Sequence, residues 1–226
     1  DPRLSTSAAK AHEWLPLKPG TDGALAGAIA HVLLIEGLWN KEFVGNFKDG
    51  KNLFVAGRAV DEAAFAEKET HGLIKWWNIE VKDRTPAWAE KECLIPAEQI
   101  VRVARAMGKA APKVAVWMGP GVAMNPRGTY AAMAVHALNG LCGSVDVEGG
   151  MLQSSSVPTG KFPKPDAYVD AIAKGASKHK KLDGRGAKDM PAMMNAKPGS
   201  GVVTNNVANG MLKDPGAVKV LISSWS

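Results

Sequence analysis

Apolar positions recur along the chain in two alternating styles. Trp14 to Leu17 is a short apolar run ended by Pro19-Gly20, and beyond it Leu25, Ile29, Val32 and Leu33 return at helical spacing until Gly37. That order predicts a strand, a tight loop and a helix. Lys113 to Met118 is a second β-prone run, Gly119-Pro120-Gly121 a second loop, and Thr129 to Leu141 a second helix with Met133, His136, Ala137 and Leu141 on it. A third copy closes the chain, where Thr204 and Asn205 cap a helix through Leu212 that leads into a strand over Val218 to Ile222.

Between these units the pattern is helical. Asn40 reads as the N-cap of a turn carrying Phe43 and Phe47, and Asp49 to Asn52 as a polar hairpin or loop. Residues 60 to 95 predict short helices whose Trp76, Trp77 and Trp88 turn toward a core, and Pro96 opens a helix with Ile100, Val103, Ala104 and Met107 on one face. Strands alternating with helices predict an α/β fold, a Rossmann-like parallel sheet with helices on both faces. Residues 1–149 form that α/β region, 150–203 a long irregular Gly/Pro/Lys-rich insertion, and 204–226 a truncated helix and strand returning to it.

Composition narrows this picture. With 226 residues, 46% hydrophobic and 22% charged, the chain is long enough for one large domain or two small ones. The longest apolar stretch, Ala24 to Leu38, is cut by His31 and Glu36, so no segment is expected to insert in a membrane. No signal peptide is legible at the first residues, and both ends read as cut, which predicts a piece of a longer polypeptide. The net charge is +6, of which residues 161 to 188 hold +5, making a basic run that reads best as a solvated loop. Its aromatics, Phe162 and Tyr168, make no stacking platform, so nucleic acid is not an expected partner. Cys93 and Cys142 lack metal or disulfide spacing and read as buried free thiols, while the five histidines form no triad.

The chemistry concentrates in the two glycine loops, which sit where an open sheet binds ligands, at helix N-termini after strands. Gly20 permits close backbone approach, Thr21 offers a hydroxyl, and Asp22 has two acceptor oxygens that suit either a helix cap or the paired N1 and N2 donors of a guanine. A nicotinamide site fits poorly, because Gly119-Pro-Gly121 is followed by Met124 where the third glycine belongs.

Asp1-Pro2-Arg3, Pro19-Gly20-Thr21-Asp22 and Leu138-Asn139-Gly140 through Gly149-Gly150 stand in an order and spacing that resembles the molybdopterin oxidoreductases, the dimethyl-sulfoxide-reductase superfamily. Within it, Glu36 to Phe47 and Pro191 to Gly201 look most like the respiratory arsenate reductases, with thiosulfate, polysulfide and tetrathionate reductases and arsenite oxidases as near alternatives. The resemblance implies a molybdopterin guanine dinucleotide with molybdenum. Asp22 then grips the guanine edge, Gly20 and Thr21 shape its pocket, and Asp1, Arg3 and Ser5 contact the same nucleotide. Met118, Gly119 and Asn125 fall near the pterin or phosphate portion.

The implied reaction is oxygen-atom removal from a small oxyanion, with a 4Fe-4S cluster and an iron–sulfur electron-transfer subunit as electron donors, in the periplasm. Neither the cluster's cysteine run nor a molybdenum ligand stands in this sequence. Both are expected upstream of Asp1, so the chain alone is expected to be catalytically silent and no catalytic residue is assigned.

Overall fold

The computed structural model of the chain describes residues 1–45, 50–64, 71–125, 128–154, 157–158, 160, 168–176, 181–184 and 204–222. Two units are resolved, Asp1–Ser156 and Val157–Ser226. The first holds helices α1 (Thr6–Ala9), α2 (Asp22–Ile35), α3 (Lys41–Val44), α4 (His71–Ile79), α5 (Pro86–Cys93), α6 (Ala97–Ala110), α7 (Pro120–Ala123) and α8 (Gly128–Cys142). Single 3-10 turns occur at Glu62–Ala64 and Val81–Asp83. The second unit holds α9 (Ala171–Ala176) and α10 (Thr204–Lys213).

The first unit is organised around α2. Every residue from Ala26 to Leu34 is buried, so this helix has no face left for water and must be enclosed. Helices α5, α6 and α8 pack against it. Small residues let α8 come close: a Cβ on Gly23 would lie 3.3 Å from the Ala131 Cα. Leu33 and Leu34, fully buried with Ile74, Ile95 and Ile100, form the centre of the core, each such side chain contributing about 1.5–3 kcal/mol. Trp77 closes one side of it, packed on Phe54 at 5.0 Å between ring centroids, its indole N–H donating to the Arg58 carbonyl at 2.8 Å.

Local chemistry sets the ends of these helices. Asn40 caps α3 by accepting from the Phe43 N–H at 2.9 Å, as expected. Thr85 caps α5 by accepting from the Trp88 N–H at 3.1 Å, with Pro86 in its first turn and Leu94 left-handed (φ 63°) at its end. The carbonyls of Leu34 and Ile35, which α2 itself cannot pair, are met by the Asn52 side chain at 2.7 and 3.0 Å. Arginine forks orient α6: Arg102 meets both oxygens of Glu13 at 2.8 Å, and Arg105 meets Glu36 at 2.8 Å. Both carboxyls are held below the usual range, first by these hydrogen bonds. The pairs are exposed, so they orient more than they stabilise.

The predicted parallel sheet is overturned. Among the described residues there is no strand, and β pairing is confined to one bridge between Val145 and Met151. The helices that were to cover the sheet pack on one another instead. A strand requires a neighbour that shares its N–H and C=O groups, and in both expected strands of this unit those groups have other partners. The Leu17 N–H bonds to the Leu15 carbonyl at 2.9 Å and the Lys18 N–H to that of Cys93 at 3.0 Å. Val116 is paired by a side chain, its N–H and C=O each 2.8 Å from the carboxamide of Asn139. In the second unit, Val220, Leu221 and Ile222 are exposed and follow irregular backbone. Phe47, Asp49, the lysine run other than Lys174 and Lys181, and the 185–203 stretch lie outside the described residues.

Cys93 and Cys142 are free and buried as expected, and burial raises both thiols above their ordinary pKa. Among the described residues no helix is long and apolar enough to cross a membrane, and no group of three His, Cys, Asp or Glu is placed to hold a metal.

His31 is the polar exception inside α2. Its Nδ1 lies 2.8 Å from the Val81 carbonyl oxygen, and its ring stacks on Trp77 at 5.3 Å. The neutral ring therefore donates from Nδ1. Burial pushes its pKa below 6.5, against the opposing effects of the Val81 hydrogen bond and the Asp83 charge. The unfolded chain takes up this proton first as pH falls, so the stability that neutral His31 confers is complete above the unfolded value and is lost progressively below it. Urea midpoints measured from about pH 7.5 down to about pH 5 are expected to fall, and His31→Asn, which keeps an N–H donor but cannot titrate, is expected to flatten that slope at a lower starting stability. An unchanged slope in the variant would refute the assignment.

Candidate functional site

The turn before α2 is fixed by its own backbone. Gly20 adopts φ +83°, a conformation costly for any side-chain-bearing residue, and the Thr21 N–H and hydroxyl both donate to the Lys18 carbonyl, at 3.2 and 2.6 Å. Thr21 occupies the N-cap position without capping the helix through its side chain. Asp22 is the first helical residue. Its half-buried carboxylate accepts no hydrogen bond among the described residues, so it does not serve as the cap that a Thr-Asp pair also predicts. A carboxylate there is favoured by the positive end of the helix.

Two cavities meet at this turn, sharing Gly20, Asp22, Val122 and Asn125 in their walls. The first, about 660 Å³, is lined by Asp1, Gly20 and Asp22 on one side and by Met118, Gly119 and Asn125 on the other. The second, about 650 Å³, adds Thr21, Trp76, Arg84 and Tyr130. Asn125 closes the gap between the loops: its Oδ1 would lie 3.9 Å from a Cβ on Gly20, while its Nδ2 donates to the Gly121 carbonyl at 2.6 Å. Gly119 and Gly121 have nothing within 4 Å of where a Cβ would stand, so the loop presents open backbone to the cavity.

Seven of the nine residues singled out from the sequence line these cavities, and two do not. Ser5 is a helix cap, its hydroxyl accepting from the Ala8 N–H at 3.2 Å, and Arg3 is exposed, its own N–H donating to Asp1 Oδ1 at 3.0 Å. Sequence reasoning passed over Trp117, Arg84 and Tyr130. Trp117 is 79% exposed at the rim, and Arg84 lies over the Trp88 ring at 4.3 Å and pairs with Glu80 at 3.1 Å. No spacing marks these residues; packing around α2 brings them there.

The lining suits the base of a purine nucleotide better than its phosphates. An unpartnered carboxylate with two oxygens matches two adjacent N–H donors, and the glycine loops leave room for a flat ring. Among the described residues, however, the first cavity has no Lys or Arg in its wall to meet a diphosphate.

The sequence profile of the molybdopterin oxidoreductases matches residues 1–219, so the chain belongs to the molybdopterin oxidoreductase family. It is 56% identical, over 98% of its length, to the arsenate respiratory reductase molybdopterin-containing subunit ArrA of Chrysiogenes arsenatis, and covers 26% of that protein. It is 49% identical over its whole length to the same subunit of Shewanella sp. (strain ANA-3), covering 27% of it. The thiosulfate reductase subunit PhsA of Salmonella typhimurium is 27% identical over 99% of the chain, which covers 27% of that protein. The chain thus spans about a quarter of the length of these relatives and resembles the arsenate reductase subunits far more than the thiosulfate one.

The loop that forms the second wall turns sharply before α8. A Cβ on Gly128 would run into the Ala123 carbonyl oxygen, and backbone cannot yield as a side-chain tip does. Gly128→Ala is expected to lower stability by about 1–3 kcal/mol in denaturant titration, whereas Gly121→Ala, where space is open, stays within about 0.5 kcal/mol of the parent. Equal effects would mean that the tight turn at Gly128 is not a constraint.

Proposed function

We propose that this chain is the guanine-dinucleotide-binding region of the catalytic subunit of a bis-molybdopterin guanine dinucleotide enzyme that reduces arsenate to arsenite in anaerobic respiration. The observation that carries the reading is the convergence of Gly20, Asp22, Met118, Gly119 and Asn125 on one cleft, in a chain 56% identical to an arsenate reductase subunit. The net reaction consumes two electrons and two protons per arsenate and releases arsenite and water. When bound, the molybdenum cofactor supplies the oxygen-atom transfer chemistry.

The chain's own residues bind and orient its nucleotide end. Asp22 accepts from the purine N1–H and N2–H, and Gly20 lets the backbone come close to the base. Thr21, tied to the Lys18 carbonyl, keeps the turn shut behind it. Met118, Gly119 and Asn125 hold the facing wall, while Asp1 approaches from the first segment, with exposed Arg3 nearby in sequence supplying a positive charge that the described lining of the first cavity does not. In the full gene product, electrons arrive through a 4Fe-4S cluster and an iron–sulfur partner subunit, and the enzyme works in the periplasm. High identity to the arsenate reductase subunits, against 27% to the thiosulfate one, supports arsenate as the oxyanion.

The test is Asp22→Ala in the full gene product. Guanine nucleotide and molybdenum per polypeptide are expected to drop by about tenfold, with arsenate-dependent oxidation of a reduced viologen falling in proportion, because a carboxylate paired with two donors is lost. Full guanine and molybdenum content with only a lowered melting temperature would overturn the role of Asp22. Parent enzyme that turns over thiosulfate but not arsenate would overturn the substrate.

A further inference from the structure

Among the described residues the loop carrying Met118 and Gly119 has no neighbouring strand to hold it, yet one of its residues is held from both sides. Val116 donates its N–H to Asn139 Oδ1 and accepts from Asn139 Nδ2 at its C=O, each at 2.8 Å. Asn139 is only 3% exposed. A carboxamide presents one acceptor and one donor side by side, the same pair that an adjacent strand would offer, so this single side chain replaces the missing strand at one point.

Asn139 is itself anchored. Its carbonyl oxygen accepts from the Ser144 N–H at 2.9 Å and the Ser144 hydroxyl at 3.1 Å, and the next turn of backbone is fixed where the Asn40 N–H bonds to the Leu141 carbonyl at 2.6 Å. The far end of the loop is also bound to α8, where the Gly128 N–H at the start of that helix donates to the Asn125 carbonyl at 2.8 Å. The cleft wall is therefore suspended between the two ends of one helix, and Asn139 is the attachment on the Val116 side.

We infer that Asn139 is a positioning residue for the nucleotide cleft: its two hydrogen bonds to Val116 set the path of Trp117, Met118 and Gly119, and so the width of the cleft facing Asp22. The inference rests on the cofactor reading above and deepens it. Asn139 touches no ligand; it acts through the backbone it holds. The molecule supplies its own control, because Asn78 makes the same reciprocal pair with Val60, at 2.6 and 2.8 Å, and lines neither cavity.

The experiment follows the loss of guanine nucleotide from the purified full gene product during dialysis, with melting temperature recorded alongside. Asn139→Leu keeps the branched shape, in a somewhat larger side chain, and removes both bonds, and is expected to lose nucleotide about tenfold faster than the parent. Asn78→Leu is expected to lower the melting temperature comparably and leave nucleotide loss unchanged. Asn139→Asp separates the clamp from simple packing. As a carboxylate it cannot donate to the Val116 carbonyl, but as a neutral acid it accepts and donates like the carboxamide. Its loss rate relative to the parent should therefore be about tenfold at about pH 8 and within about twofold at about pH 5.5.

Parent-like retention in Asn139→Leu, or a pH-independent ratio in Asn139→Asp, overturns the inference. If Asn139→Leu is insoluble, the pH ratio of the Asp variant decides alone. Asp22→Ala, run in parallel, separates the two failures. Nucleotide lost from the Asp22 variant but kept by the Asn139 variants overturns the clamp and leaves the cofactor reading standing. Nucleotide kept by all of them overturns both.

Discussion

The structure of the first unit depends on one constraint: α2 has no side that water can wet. From Ala26 to Leu34 every residue must be covered, and covering a helix on all sides takes several partners, here α5, α6 and α8 with the Trp77 cluster. Once those partners are in place, the N-terminus of α2 is fixed in space, and so is the Gly20–Asp22 turn. The small residues on its surface allow the partners to come close without voids. The turn at its mouth inherits the rigidity of a helix that cannot shift without exposing apolar surface.

A second theme is the use of asparagine where backbone lacks a partner. Asn52 closes the C-terminus of α2, Asn78 holds Val60, and Asn139 holds Val116. Asn52 meets the last carbonyls of a helix, and Asn78 and Asn139 meet main-chain groups of irregular segments. A carboxamide suits this task because it is neutral and carries a donor and an acceptor, so it brings no charge into the core. The charged pairs are treated differently: Glu13 with Arg102 and Glu36 with Arg105 stay at the surface, where desolvation is small.

The candidate site combines these two devices. One wall is the turn that α2 holds, the other the loop suspended from α8, and Asn125 spans the space between them. Thr21 is occupied with the turn itself, which leaves the Asp22 carboxylate available to a ligand. A helix cap and a ligand-binding acid are both natural uses of a Thr-Asp pair, and the hydrogen bonds decide between them residue by residue. His31 sits a few turns along the same helix, so the pH dependence of the core and the stability of the cleft act on one element.

Local chemistry made much of this legible in the sequence alone. The helical period from Leu25 to Leu33, the Asn40 cap and the Pro-Gly-Thr-Asp and Gly-Pro-Gly loops are short-range features, set by side-chain spacing and turn stereochemistry, and they were readable along with the family. The sheet was not. Whether Trp14–Leu17 or Lys113–Met118 becomes a strand depends on a partner distant in sequence, and only the tertiary structure showed that the Cys93 carbonyl and the Asn139 carboxamide take those backbone groups instead. For the same reason, the meeting of Asp1 with Gly119, the retreat of Ser5 into a helix cap and the arrival of Arg84 and Tyr130 at the second cavity were decided by the packing around α2, since no period or motif encodes contacts between segments so far apart.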